Sequence, residues 1–97
     1  MFDGHTINMF DDYTIDRKIR QEFQDNIETL TEDNINAVRH YLSVGEYEMA
    51  FLYLMMEIME KENDGVKLHM SPESAIELGF SLNLDKQYSI YFDYYEL

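Results

Sequence analysis

The segment from Gly45 to Glu62 is the longest apolar run in the sequence, and it limits the folds that this chain can adopt. Wound as an α-helix, it is apolar over roughly 220° of its circumference. A helix that is apolar over so wide an arc needs other elements on several sides, which places it at the centre of a helical domain. The apolar residues of this arc are Met49, Phe51, Leu52, Leu54, Met55, Met56, Ile58 and Met59.

A polar strip, roughly 100° wide, completes the circumference of this helix. It carries Glu46, Tyr53, Glu57 and Glu60, with Lys61 at its edge. The pattern leaves two interpretations open, because a strip of this kind is either a solvated surface or a face that binds a partner.

Two helices are predicted before the central one. From Thr14 onward, apolar residues recur at every third or fourth position, which predicts a helix over residues 14–29. Asp12 or Thr14 is expected to cap it. Thr31, followed by acidic residues that favour a helix N-terminus, predicts the start of a second helix over residues 32–43.

The connections on either side of the central helix are also readable. Gly45 is well placed as a left-handed terminator, so the second helix and the helix predicted over residues 46–62 form an antiparallel or steeply crossed hairpin. Ser71, with a proline and a glutamate after it, predicts a fourth helix over residues 72–82. Gly79 within that helix is expected to be buried.

These elements predict an all-α, compact, four-helix bundle-like fold in which residues 1–97 form a single domain, since a chain of this length builds one core. Residues 1–13 show no clear period and are expected to be a lead-in segment. Residues 86–97 are an aromatic tail whose secondary structure the pattern does not decide. One interpretation is that the tail folds back as a cap on the bundle. The other is that it forms a recognition surface, because tyrosine is enriched at interfaces, and both can hold at once.

The chain has a formal net charge of −13 and a sequence pI near 4.3. Such a charge repels nucleic acid and anionic membranes and attracts basic proteins. Three of the seven lysines and arginines, Arg17, Lys18 and Arg20, fall within the first predicted helix. The remaining surface is therefore expected to be more acidic than the net charge indicates.

Cysteine is absent from the sequence, which excludes disulfides, thiolate metal sites and cysteine nucleophiles. The N-terminal segment lacks the basic and apolar regions of a signal peptide. The central apolar run is interrupted by Glu57 and is too short to span a bilayer. We therefore expect a cytoplasmic protein that does not contact a membrane.

The sequence contains no motif that would support catalysis. His5, His40 and His69 lie on separate segments without the spacing of metal ligands. The serines lack the context of a nucleophile elbow, and phosphate-binding, dinucleotide-binding and EF-hand motifs are absent. Carboxylate pairs are too common in so acidic a chain to indicate acid–base chemistry. We therefore expect a protein that is not an enzyme and that holds no metal or cofactor.

Two segments of the sequence have distinctive helix ends. The first, from Ile35 to Leu54, has a helix that ends before Gly-Glu-Tyr, then an alanine and a leucine-rich helix. The second, from Leu68 to Asp85, has a Ser-Pro-Glu helix start and a Leu-Gly pair near the helix end. In these segments the chain resembles the helical immunity proteins of bacterial polymorphic toxin systems, including MafI-type proteins and some immunity proteins of contact-dependent growth inhibition. The resemblance covers about half of the chain.

This resemblance implies a bacterial cytoplasmic antitoxin that binds a cognate toxin domain, with 1:1 stoichiometry as the expectation. Toxins of such pairs are often nucleases, particularly RNases, and the charge of −13 independently favours a basic partner. The expected mechanism is steric and electrostatic blocking of the toxin, although binding away from its active site is equally compatible with the residues. The candidate toxin-binding residues are Glu46, Tyr53, Glu57 and Glu60 of the polar strip and Tyr91, Asp93, Tyr94 and Tyr95 of the tail.

Two other functions remain open at this stage. An acidic protein can imitate nucleic acid and inhibit a DNA-binding protein, which would need regularly spaced surface carboxylates and would give binding to several unrelated proteins. A structural adaptor without inhibitory activity would protect no cell from any toxin.

Overall fold

Four α-helices make up most of the part of the chain that the computed structural model describes, which is residues 10–61 and 68–84. No β-strand occurs in these two ranges, so the predicted all-α, bundle-like fold is confirmed. Predictions for residues 1–9, 62–67 and 85–97, the aromatic tail among them, lie outside the described residues. The helices are α1 (Asp12–Asn26), α2 (Glu32–Ser43), α3 (Tyr47–Glu60) and α4 (Pro72–Ser81), with one 3-10 turn (Ile27–Thr29) after α1.

The start of α1 differs from the prediction, because its N-cap is Asp11 and neither Asp12 nor Thr14. The Asp11 carboxylate accepts a hydrogen bond from the backbone N–H of Thr14 at 2.8 Å, and this bond lowers the pKa of Asp11. Apolar residues recur only along the buried face of a helix. Asp12 and Tyr13 at the start of α1 are exposed, so the apolar pattern starts later in the sequence than the helix itself. The last three residues predicted as α-helix form the 3-10 turn instead.

The turn between α2 and α3 is a Schellman motif centred on Gly45, whose φ of +74° confirms the predicted left-handed terminator. The N–H of Glu46 donates to the carbonyl of Tyr41 at 2.9 Å, and the N–H of Gly45 donates to the carbonyl of Leu42 at 3.2 Å. The predicted bounds of α2, residues 32–43, are confirmed. Since the turn reverses the chain, α3 packs against α2 more extensively than any other pair of described elements pack together.

The central apolar run forms α3, which is shorter at both ends than the predicted 46–62 because Glu46 is its N-cap and Lys61 its C-cap. One residue of the predicted apolar arc is misplaced, since Met56 is 66% exposed. The elements packed around α3 therefore leave part of its apolar surface uncovered. Among the described residues, fifteen buried apolar side chains form one packed cluster: Ile15, Ile19, Phe23, Leu30, Val38, Leu42, Ala50, Phe51, Leu54, Met55, Ile58, Ala75, Leu78, Leu82 and Leu84.

The fourth helix begins as predicted. The hydroxyl of Ser71 accepts a hydrogen bond from the backbone N–H of Ser74 at 3.2 Å, and a proline occupies the first turn. Gly79 is buried, as predicted. The helix ends at Ser81, and Asn83 follows in the left-handed region with a φ of 60°. Among the described helices, none has the length and hydropathy that crossing a bilayer would require.

A buried carboxylate joins α1 to the connector that precedes α4. Glu22 is only 2% exposed. Its Oε2 accepts hydrogen bonds from the backbone N–H of His69 at 2.7 Å and from Nδ2 of Asn26 at 2.9 Å. Its Oε1 accepts from the backbone N–H of Met70 at 3.1 Å. Three donors thus satisfy a carboxylate that the sequence alone assigned to no role. Burial raises the pKa of Glu22, and these hydrogen bonds oppose that rise.

We expect Gly45→Ala to lower the free energy of unfolding by about 1–2 kcal/mol, because an L-residue with a Cβ is strained in the left-handed region. A Cβ at this position would meet no atom within 4 Å, so the whole loss comes from the backbone conformation. Urea denaturation measures the change. Val44→Ala, at the neighbouring exposed position, is the control and should change stability by less than about 0.5 kcal/mol. Equal losses of stability in Gly45→Ala and Val44→Ala would contradict the left-handed conformation of Gly45.

We expect Glu22→Gln to destabilise the fold. Both oxygens of the carboxylate accept hydrogen bonds, and the amide nitrogen of glutamine cannot replace either of them as an acceptor. Since folding raises the pKa of Glu22 above its ordinary 4.5, the folded state binds the proton more tightly than the unfolded chain does. The carboxyl therefore stabilises the fold most at low pH and loses this contribution as the pH rises through the folded pKa. The wild type should exceed the variant by about 1–3 kcal/mol near pH 5, and by less near pH 8.

Urea denaturation across that pH range provides the measurement, with Glu28→Gln as a control that removes an exposed carboxylate. A difference between the wild type and Glu22→Gln that grew with pH would show that the folded pKa is lowered instead.

Candidate protein-binding surface

The exposed side of α3 carries three of the four strip residues that the sequence predicted there. Glu46 and Glu60 are exposed, and Tyr53 is 38% exposed. Met56, which the sequence assigned to the core, joins them at the surface. These spacings place the four side chains along one face of the helix. We call this set, Glu46, Tyr53, Met56 and Glu60, the α3 strip. It has an aromatic ring and a thioether between two carboxylates.

Glu57 differs from the other predicted strip residues. Its side chain is only 13% exposed, and its Oε2 lies 2.9 Å from Nζ of Lys61. Lys61 also donates a hydrogen bond to the backbone carbonyl of Thr29 at 3.1 Å. The ion pair therefore connects α3 to the end of the 3-10 turn. Because its charge is already neutralised inside the protein, Glu57 contributes less to an external surface than the sequence indicated.

Tyr53 is held against α2 by both its ring and its backbone. The rings of Tyr41 and Tyr53 lie 5.4 Å apart between centroids, tilted by 34°. Nδ2 of Asn34, a buried residue of α2, donates to the carbonyl of Tyr53 at 2.8 Å. The ring of His40 meets Tyr41 edge-on at 5.2 Å. The surface at Tyr53 is therefore supported by two packed helices, which fixes the position of its side chains.

Tyr41 of α2 was not among the binding residues predicted from the sequence. It is partly buried and packs against the core. The available signal was chemical, because a tyrosine on an apolar face needs a partner or water for its hydroxyl. The ring of Tyr41 packs against Tyr53 on a different helix, a contact that only the tertiary structure reveals.

Electrostatics around Tyr41 disfavour additional negative charge. Proximity to Tyr53 raises the pKa of the Tyr41 phenol, with burial and a hydrogen bond to Tyr53 adding to the rise. The carboxylate of Glu46 also raises the pKa of Tyr41. The Schellman motif holds Glu46 beside Tyr41 through its backbone hydrogen bond. This corner between α2 and α3 should consequently attract cations.

A second charged region lies along α1 and carries most of the cationic side chains among the described residues. Arg20 pairs with Asp16 at 2.8 Å, whereas Arg17 and Lys18 lie over aromatic rings at 5.7 Å and 4.9 Å. These cations are therefore already engaged with groups of the protein itself. The groove beside them has a volume of about 620 Å³ and is lined by Thr14, Arg17, Lys18, Arg20, Gln21 and Gln24.

The histidines do not come together in the part of the chain that is described. Nδ1 of His69 lies 3.6 Å from Glu22 and 4.0 Å from Asp25, while His40 contacts Tyr41. Within residues 10–61 and 68–84, no group of three or more histidine, aspartate or glutamate side chains could hold a metal ion.

The structure therefore places Glu46, Tyr53 and Glu60 of the predicted binding residues on one exposed face and separates Glu57 from them by its pairing with Lys61. Tyr91, Asp93, Tyr94 and Tyr95, the predicted residues of the tail, lie outside the described residues.

We expect Tyr53→Phe to lower the pKa of the Tyr41 phenol, because it removes the largest cause of the rise. Glu46→Gln should lower it by a smaller amount. The pKa is measured from the ring-carbon NMR signal of Tyr41 as the pH is raised. Glu60→Gln is the matched control, since it removes a carboxylate from the other end of the α3 strip. An unchanged Tyr41 pKa in Tyr53→Phe would mean that the two phenols are not coupled.

Comparisons with known proteins do not assign this surface. No protein-family model matches the chain, and neither a curated protein nor a solved structure matches it. The candidate surface therefore stands on its own geometry and charge.

Proposed function

We propose that this protein is an immunity protein of the bacterial cytoplasm, which binds and neutralises a basic toxin domain, with a nuclease as the favoured toxin class. The observation that carries the proposal is the α3 strip, where Tyr53 and Met56 are exposed between the carboxylates of Glu46 and Glu60. Tyrosine and methionine are enriched in protein interfaces, whereas isolated charges at the rim steer association. The resemblance of the α2–α3 hairpin to helical immunity proteins supports the same function.

The charge of the whole chain supports a basic partner. A net charge of −13 on 97 residues attracts a cationic surface over several ångströms and speeds encounter with it. Nucleases carry cationic clefts that bind phosphates. The carboxylates of the α3 strip would occupy the positions of phosphates in such a cleft, and Tyr53 with Met56 would exclude water at the centre of the contact.

The composition of the strip favours a specific protein partner over imitation of nucleic acid. A nucleic-acid mimic needs regularly spaced carboxylates along its surface, since it must match a cation pattern set by phosphates. Met56 and Tyr53 interrupt such a row and are 66% and 38% exposed. An apolar centre of this kind is typical of a contact with one shaped partner.

The proposal is tested by co-expression with the toxin domain encoded next to this protein and by calorimetric binding to its purified, catalytically inactive form. We expect protection of the cell and a 1:1 complex. Tyr53→Ala should weaken binding by about tenfold or more, because truncating a tyrosine at the centre of an interface costs upwards of about 1.4 kcal/mol. Glu46→Gln combined with Glu60→Gln should weaken binding mainly at low salt and reduce its salt dependence.

Glu28→Gln combined with Glu73→Gln is the matched control, because it removes two exposed carboxylates outside the α3 strip. This variant should retain most of the affinity. Failure of the wild type to protect any cell from the neighbouring toxin would refute the function. Equal effects of the two double variants would refute the location of the binding surface.

A further inference from the structure

Among the described residues, three aromatic rings are already covered by cations of the protein itself. Phe10, Tyr13 and Phe23 each lie beneath a lysine or arginine, at 4.9, 5.7 and 6.0 Å from the ring centroid. Tyr41 and Tyr53 differ, because among the described residues no cation lies over either ring. They form the only pair of tyrosines in contact within those residues, and Tyr53 is partly exposed. Within residues 10–61 and 68–84, the pair is therefore an aromatic surface that no internal cation covers.

We propose that Tyr41, Tyr53 and Glu46 form a binding site for an arginine side chain of the basic partner. This inference rests on the proposed function, and it names the chemical group that the corner between α2 and α3 recognises. A guanidinium is planar, so it can lie against the tyrosine rings while its N–H groups reach the Glu46 carboxylate. A lysine ammonium concentrates its charge on one atom and is more strongly hydrated, so it uses the ring face and the carboxylate together less well.

The site is formed before the partner arrives. The N–H of Glu46 donates to the carbonyl of Tyr41 at 2.9 Å, which fixes the backbone of the carboxylate-bearing residue relative to the ring. Asn34 fixes the backbone of Tyr53 from the other helix at 2.8 Å. The contact between the two rings, whose centroids lie 5.4 Å apart, restrains both side chains. Little conformational entropy is therefore lost when a guanidinium binds.

The charges around the site select a cation over an anion. Glu46 is exposed at the N-terminus of α3 and has no hydrogen bond from its side chain to that helix end. Its carboxylate remains available to an external donor. Tyr41 is disfavoured from ionising by Tyr53 and by Glu46, so the surroundings already carry negative potential. A bound guanidinium would offset this potential and lower the pKa of the Tyr41 phenol, which provides a spectroscopic measure of occupancy.

The test compares two blocked short peptides, one of alternating glycine and arginine and one of alternating glycine and lysine, titrated into the full chain carrying ¹³C-labelled tyrosine. Both peptides have the same charge, so general attraction to an acidic protein cancels. We expect the arginine peptide to bind about fivefold more tightly, the equivalent of roughly 1 kcal/mol for a cation–π contact. The ring signals of Tyr41 and Tyr53 should move most, and the pKa of Tyr41 should fall.

Tyr53→Leu and Glu46→Gln should each abolish the preference for arginine. Glu46→Gln changes an exposed side chain, so it tests the site even if Tyr53→Leu disturbs folding. Tyr13→Leu is the matched control, because Tyr13 is 71% exposed on α1, and it should leave the preference unchanged. Equal affinity for the two peptides, or ring signals that move at other tyrosines instead, would overturn the site.

The outcome is separable from that of the proposed function. A protein that protects its cell from the toxin while showing no preference for arginine would retain the function and lose this site. A preference for arginine that Glu46→Gln abolishes would establish the site, and absence of protection would then refute only the immunity function.

Discussion

One left-handed residue determines how the described part of this chain is arranged. Gly45 reverses the chain within a single turn, so α3 returns along α2 and the two helices form the most extensive contact of the fold. The same turn brings Glu46 to the carbonyl of Tyr41. A backbone conformation that few other residues tolerate therefore positions both the central core helix and the carboxylate of the candidate surface.

Carboxylates have two distinct uses in this acidic protein. Glu22 is buried, and the three hydrogen bonds that its oxygens accept join α1 to the connector before α4. Glu46 and Glu60 are exposed and leave their charge available to a partner. The cations of α1 are already engaged within the protein, since they pair with a carboxylate or lie over aromatic rings. The resulting surface is acidic where the aromatic groups are uncovered.

Local chemistry was readable from the sequence, and tertiary contacts were not. The bounds of α2, the left-handed glycine and the Ser71 cap depend on neighbouring residues alone, which is why the sequence predicted them. Met56 was assigned to the core because helical periodicity cannot show which part of an apolar arc other elements will cover.

The candidate surface shows the same limit. Glu46, Tyr53 and Glu60 were predicted from their common strip, whereas the role of Tyr41 depends on a partner from another helix. The role of Glu22 was equally unreadable, because two of its three donors are backbone groups far along the chain. Those donors lie 47 and 48 residues after the carboxylate, so the bonds close a loop that spans half of the sequence. Closing such a loop costs conformational entropy that short-range contacts do not, and the hairpin of α2 and α3 lies inside it. We therefore expect the hairpin to form early and to shorten the effective loop, so that the buried carboxylate acquires its distant donors late in folding.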